Sequence, residues 1–179
     1  MTTTRTQKYL SILPDNVPSS GKVSFARGNP IVTLTLGRQD AVLDLASLRL
    51  SGNLDIWSNA AGTTHPSAAA SPKLRGSHKL GIFSAIDQIV FRHAETKAVI
   101  EHIRHYGRFM SSMLPTISSM GDVSGHLGET ALIMPNYQSY RDSVVRNTAS
   151  SPFTIPLPSG LTSGVASVPL SKLPLEIEI

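Results

Sequence analysis

The sequence predicts an all-β domain that carries one or two helices, and three observations predict it. Short runs in which apolar and polar residues alternate recur along the chain, as in IVTLTL at 31–36 and LEIEI at 175–179. That is the period at which successive side chains point to opposite faces of a strand. The connections are rich in Ser, Thr, Gly and Pro, with 13 Gly and 12 Pro in 179 residues, which suits a fold with many turns. Only 16% of the residues are charged, which leaves neutral surface and favours contacts with other subunits over a freely solvated monomer.

A chain of 179 residues is sized for one domain with one hydrophobic core. It has no cysteine, which excludes a disulfide framework and thiolate metal sites and leaves stability to packing or assembly. The opening MTTTRTQKYLSILP lacks the apolar centre of a signal peptide, and no run approaches the ~20 apolar residues needed to cross a bilayer. A soluble protein outside the usual secretory route is expected. Lys and Arg number 16 against 12 Asp and Glu, a surplus spread along the chain rather than gathered into the patch expected of a nucleic-acid footprint.

Taken in order, residues 2–8 are polar and read as a loose arm. KVSFA at 22–26 is the first strand signal, with Val23 and Phe25 in phase. IVTLTL at 31–36 follows after the break Gly28, Asn29, Pro30, with Val32, Leu34 and Leu36 on one face. Residues 48–57, LRLSGNLDIW, read as a long strand with Leu48, Leu50, Leu54 and Ile56 in phase. Gly52 keeps that phase and is expected to mark a bend or bulge where another backbone comes close. Trp57 falls on the opposite face, where it reads as a partly exposed packing residue, with a subunit contact or a second buried layer as the alternatives. Residues 58–79 read as a long surface loop.

Residues 81–115, GIFSAIDQIVFRHAETKAVIEHIRHYGRFMSSMLP, are the most strongly patterned part. Residues 86–92 have the content of a buried strand, with Ile89 and Phe91 on one face and Val90 on the other. His93 to Lys97 supply the turn. Val99, Ile103, Tyr106, Met110 and Met113 then follow at steps of four, three, four and three, which predicts an amphipathic helix packed back on the strand. Beyond it, 131–134 is a short apolar run, 136–147 a short helix, FTIPL at 153–157 a strand ended by Pro156, and 159–172 a connection. In LEIEI, Leu175, Ile177 and Ile179 are expected inward. Glu176 and Glu178 are expected outward on an edge strand that repels further pairing.

No catalytic, cofactor or metal site is assigned. His102 and His105 sit three apart on the predicted helix beside Glu101, with His93 one turn earlier, but there is no HExxH pattern and no converging third ligand. His93 and Glu95 match the first three residues of the zinc-deaminase signature without its P-C-x-x-C. Ser124 in GDVSG and Ser163 in GLTSG are one residue out of register with a nucleophile elbow. Gly21-Lys22 leads into a strand rather than a helix, and no aspartates fall in a calcium-loop pattern.

Three pieces in order carry a resemblance: YLSILPDNVPSSGKVSFARGNPIVTLTLG near the start, GIFSAIDQIVFRHAETKAVIEHIRHYGRFMSSML in the centre, and FTIPLPSGL with PLSKLPLEIEI at the end. Together they resemble the N-terminal part of double jelly-roll major capsid proteins of Polinton-like viruses, virophages and related eukaryotic double-stranded DNA viruses. None of the pieces is a catalytic motif, and their order over most of the chain carries the weight.

The resemblance implies a jelly-roll β-sandwich with one or two inserted helices, and a structural, non-enzymatic role in the virion after synthesis in the host cytoplasm or nucleus. It implies self-association into trimeric, pseudo-hexagonal capsomers of an icosahedral shell. Penton, minor or cement capsid proteins are the implied partners, with no sequence-specific nucleic-acid binding and no cofactor. The chain has room for one jelly roll, about a third of such a protein, and the abrupt LEIEI ending is expected of a piece of a longer chain. Trp57 and the 58–79 loop are the expected subunit contacts. The alternative is a β-sandwich binding module that recognises a carbohydrate or protein through its long loops.

Overall fold

The computed structural model describes residues 7–17, 31–54, 77, 79–119, 121–122, 125–133, 151–165 and 167–179. The described strands are β1 (Thr33–Leu36), β2 (Val42–Asp44), β3 (Arg49–Leu54), β4 (Gln88–His93), β5 (Val99–Arg104), β6 (Ser151–Pro156), β7 (Ser167–Pro169) and β8 (Leu175–Glu178). The described helices are α1 (Tyr106–Ile117), α2 (His126–Ala131) and α3 (Gly160–Gly164), with short 3-10 turns at Leu45–Ser47 and Ile82–Ala85. The described part is thus mostly strands in antiparallel sheets with few helices, an arrangement compatible with a β-sandwich.

Every pairing among the described strands is antiparallel, and the pairs nest. β1 pairs with β8, β2 with β7, β3 with β6 and β4 with β5, so each pair is enclosed in sequence by the one before it. β4 also pairs with β8, which joins the outermost and innermost pairs into one sheet of order β1-β8-β4-β5.

Register gives that sheet two unlike faces. Leu34, Ile177 and Phe91 form one cross-strand row, Leu36 lies beside Leu175, and Ile89 beside Ile103. This face meets the core, where Phe83, Ile89, Phe91, Tyr106, Met110 and Leu175 are fully enclosed. The other face carries Thr33, Thr35, Glu176, Glu178, Arg92, Gln88, His102 and Arg104. Val90 shares that polar face and is nonetheless 2% exposed, so β4 is buried on both sides.

The central stretch departs from its sequence reading. The predicted helix from Val99 is a strand up to Arg104, and α1 begins only at Tyr106. A step of four would keep Val99 and Ile103 on one face of a regular strand as well as of a helix; a bulge between Phe91 and Arg92 instead sets Val99 opposite Arg92, while Ile103 stays beside Ile89. The β-branched Val99, Ile100 and Ile103 favour the strand, and β4 offers a hairpin partner. His105, with φ 54 and ψ 52, is the left-handed joint between strand and helix. From there the helical period holds, but the buried positions are Tyr106, Met110 and Leu114, with Met113 half-buried. Pro115 falls within α1 on an exposed position, and the helix continues to Ile117.

The second correction concerns β8. It is an interior strand, flanked by β1 and β4, rather than an edge, and Glu176 is 7% exposed rather than outward-facing in solvent. Cationic side chains of the β4–β5 hairpin make that burial tolerable, as described below.

The 159–172 connection contains α3 and β7, and β2 and α2 had no sequence expectation. Pro156 ends β6 as expected. Gly52 sits in an unbroken ladder and meets a ring rather than another backbone: an added Cβ would lie 3.0 Å from Cζ of Phe153, its cross-strand partner. The strand at 22–26, Trp57, all but residues 77 and 79 of the 58–79 loop, and the helix at 136–147 lie outside the described residues.

Candidate functional site

The most organised polar surface is the outer face of the four-stranded sheet around β8. Arg92 Nη2 lies 3.1 Å from Glu178 Oε2 and 3.3 Å from its Oε1. Lys97, in the β4–β5 turn, pairs with Glu176. Farther along, His102 Nε2 and Gln88 Oε1 are 3.2 Å apart. Two acids that alternate along an interior strand are each met by a cation from the neighbouring hairpin. A carboxylate can be buried there because a partner charge offsets much of its lost hydration.

A second polar cluster lies on the core side. The Glu101 carboxylate accepts from Gly160 N through Oε1 and from Leu161 N through Oε2, both at 2.8 Å. It thereby caps α3 together with the reciprocal bonds of Ser159 and Thr162. Tyr106 OH donates to Pro158 O at 3.0 Å. Burial, with the nearby Glu101 charge as the smaller cause, raises the Tyr106 pKa far above the ordinary phenol range. Its hydroxyl is a fixed donor rather than an acid available for chemistry.

The sequence-singled histidines do not converge. His102 is on β5 facing Gln88, and His105 Nδ1 stands 3.6 Å from Asp87 Oδ1. His93 ends β4, and its Nδ1 accepts from Glu95 N and Thr96 N. His126 is exposed at the start of α2. Among the described residues no three His, Cys, Asp or Glu side chains gather as a metal group. Among them, too, no helix is long and apolar enough to cross a membrane. Ser163 is exposed on α3, its N–H bonded to Ser159 O at 3.0 Å. Ser124, His65 and His78 lie outside the described residues.

One apolar feature escaped the sequence reading. Residues 7–17 hang from the outer edge of β1: Asp15 N donates to Thr33 O at 2.8 Å, Asn16 Nδ2 to Ile31 O at 2.6 Å, and Thr33 N to Asn16 Oδ1 at 2.9 Å. The Asn16 amide thus acts as a short substitute strand. Beyond it Tyr9 and Leu13 are 91% and 81% exposed, while Ile12 packs on the core. The apolar alternation YLSIL was the available signal.

No family model matches this chain, and no curated protein and no solved structure shows significant similarity to it.

Proposed function

We propose that this chain is a structural protein of a viral shell, a jelly-roll subunit that associates into trimeric capsomers. The observation that carries the reading is the nesting of its strand pairs, β1 with β8 through β4 with β5. A jelly roll is a long antiparallel hairpin of eight strands wound on itself, and nesting is the pairing order such winding requires. The sequence resemblance to double jelly-roll capsid proteins points the same way. So do the exposed Tyr9, Leu10 and Leu13, apolar side chains on an arm that a subunit contact would cover.

Size-exclusion chromatography with light scattering, followed by electron microscopy of the purified chain, tests this. Trimers or larger regular particles are the expected result. A chain that stays monomeric at every concentration reached, and binds a glycan or protein saturably as that monomer, would replace the shell reading with that of a binding module.

A further inference from the structure

The turn between β4 and β5 is held by an unusual acceptor. Nδ1 of His93 receives the backbone N–H of Glu95 at 3.3 Å and that of Thr96 at 3.2 Å, one lone pair shared by two donors. Neither amide has another acceptor among the described residues. The rest of the turn is closed by His93 N donating to Ala98 O at 2.9 Å and Lys97 N to His93 O at 2.8 Å, with Lys97 left-handed at φ 58. An imidazole that accepts at Nδ1 carries its proton on Nε2 and is neutral. An imidazolium has N–H at both nitrogens and no acceptor left.

This turn also fastens segments remote in sequence. Glu95 pairs with Arg38 of the β1–β2 link at 2.9 Å, Ala94 N donates to Pro174 O at 2.9 Å just before β8, and Lys97 pairs with Glu176. The charged and titratable groups of the surrounding elements are Arg38 and Asp40 of the β1–β2 link, Arg92 of β4, Glu95 and Lys97 of the turn, Glu101, His102 and Arg104 of β5, Lys172 of the β7–β8 link, and Glu176 and Glu178 of β8. Arg38, Lys97 and Arg92 are each engaged by a carboxylate, Arg92 by Glu178. Lys172 makes no ion pair among the described residues. Glu95, Glu176 and Glu178 each serve a cation, Glu101 serves the amides of Gly160 and Leu161, Asp40 makes no ion pair among the described residues, and no acid pairs with the His93 ring to reward its protonation.

We propose that the β4–β5 turn is an acid-sensitive latch, closed while His93 Nδ1 accepts the Glu95 and Thr96 amides and opened when that nitrogen takes a proton. Opening the turn loosens the Arg38 and Glu176 tethers that join the hairpin to the β1–β2 link and to β8.

The test is amide hydrogen exchange of the full chain by NMR between about pH 7.5 and about pH 5, the span over which histidine changes charge, corrected for intrinsic exchange. Protection of the Glu95 and Thr96 amides is expected to fall about tenfold with acidification, the loss of two shared hydrogen bonds. His93→Asn, whose Oδ1 accepts without titrating, is expected to keep its protection at both ends of the range. Unchanged protection in the wild type, or a parallel loss in the Asn variant, overturns the latch. Should the variant not fold, the wild-type ring decides. An Nε2–H tautomer that gives way to imidazolium in step with amide loss supports the proposal; an Nδ1–H tautomer, or amide loss out of step with it, refutes it.

Discussion

Replacing Tyr106 by Phe removes one hydroxyl from a side chain that has no solvent exposure. The ring keeps its contacts with Phe83 and Phe109, at centroid distances of 6.4 and 5.8 Å, so the change acts through the 3.0 Å bond to Pro158 O. Leaving that carbonyl without its donor costs about 1 to 2 kcal/mol at neutral pH. The same hydroxyl has a second effect of opposite sign. Tyr106 in the unfolded chain ionises near its ordinary 10.0, while burial holds the folded phenol protonated well above that. Above the unfolded value the unfolded chain binds fewer protons than the native one. Wild-type stability contributed by this group is therefore complete below about pH 10 and falls by about 1.4 kcal/mol for each pH unit above it. The phenylalanine variant has no proton to lose at this position. The wild-type advantage is expected to vanish near pH 11 and then to reverse. Urea unfolding of both proteins across this range measures the difference directly, since exposed tyrosines and lysines cancel. A gap that stays constant from pH 7 to beyond about pH 11 would refute the assignment of a buried, protonated Tyr106.

Other substitutions probe the joints of the fold. Gly81→Ala places a Cβ 2.0 Å from Ala131 O on a residue at φ +52, and is expected to destabilise by about 3 kcal/mol or more; a thermal midpoint like the wild type's would show that the 82–85 turn does not pack against the end of α2. Glu101→Ala leaves two amides of α3 without their acceptor and should cost about 1 kcal/mol, partly restored in Glu101→Gln, as read by urea unfolding. Ile103→Asp puts a charge in the core-facing row beside Ile89 and should unfold the domain. His102→Ala and His105→Ala, at exposed rings, should stay within about 0.5 kcal/mol of wild type, all three by circular dichroism melts.

The strands at 33–36, 88–93, 151–156 and 175–178 were legible because period-2 alternation is local: pleat geometry alone sends neighbouring side chains to opposite faces. So was the helix around Tyr106 and Met110, once its start is moved. The start was not legible because Val99 and Ile103 satisfy both periods. Only the β4 ladder, from Gln88–Arg104 to Phe91–Glu101, separates them, and pairing partners are distant information.

What the sequence by itself determined was the class of element at 33–36, 88–93, 151–156 and 175–178, the absence of thiol chemistry, and the apolar rows that would have to meet. What the tertiary structure alone decided was pairing order and the fate of the charges. LEIEI reads identically on an edge and in an interior strand. Only with β1 and β4 on either side does Glu176 become a buried acid that needs Lys97. His93 likewise is one polar residue in a turn until backbone closure brings two amides to its ring. Side-chain alternation is set by a residue and its immediate neighbours. Burial of charge and the value of a lone pair are set by groups that the chain brings back from far along its length.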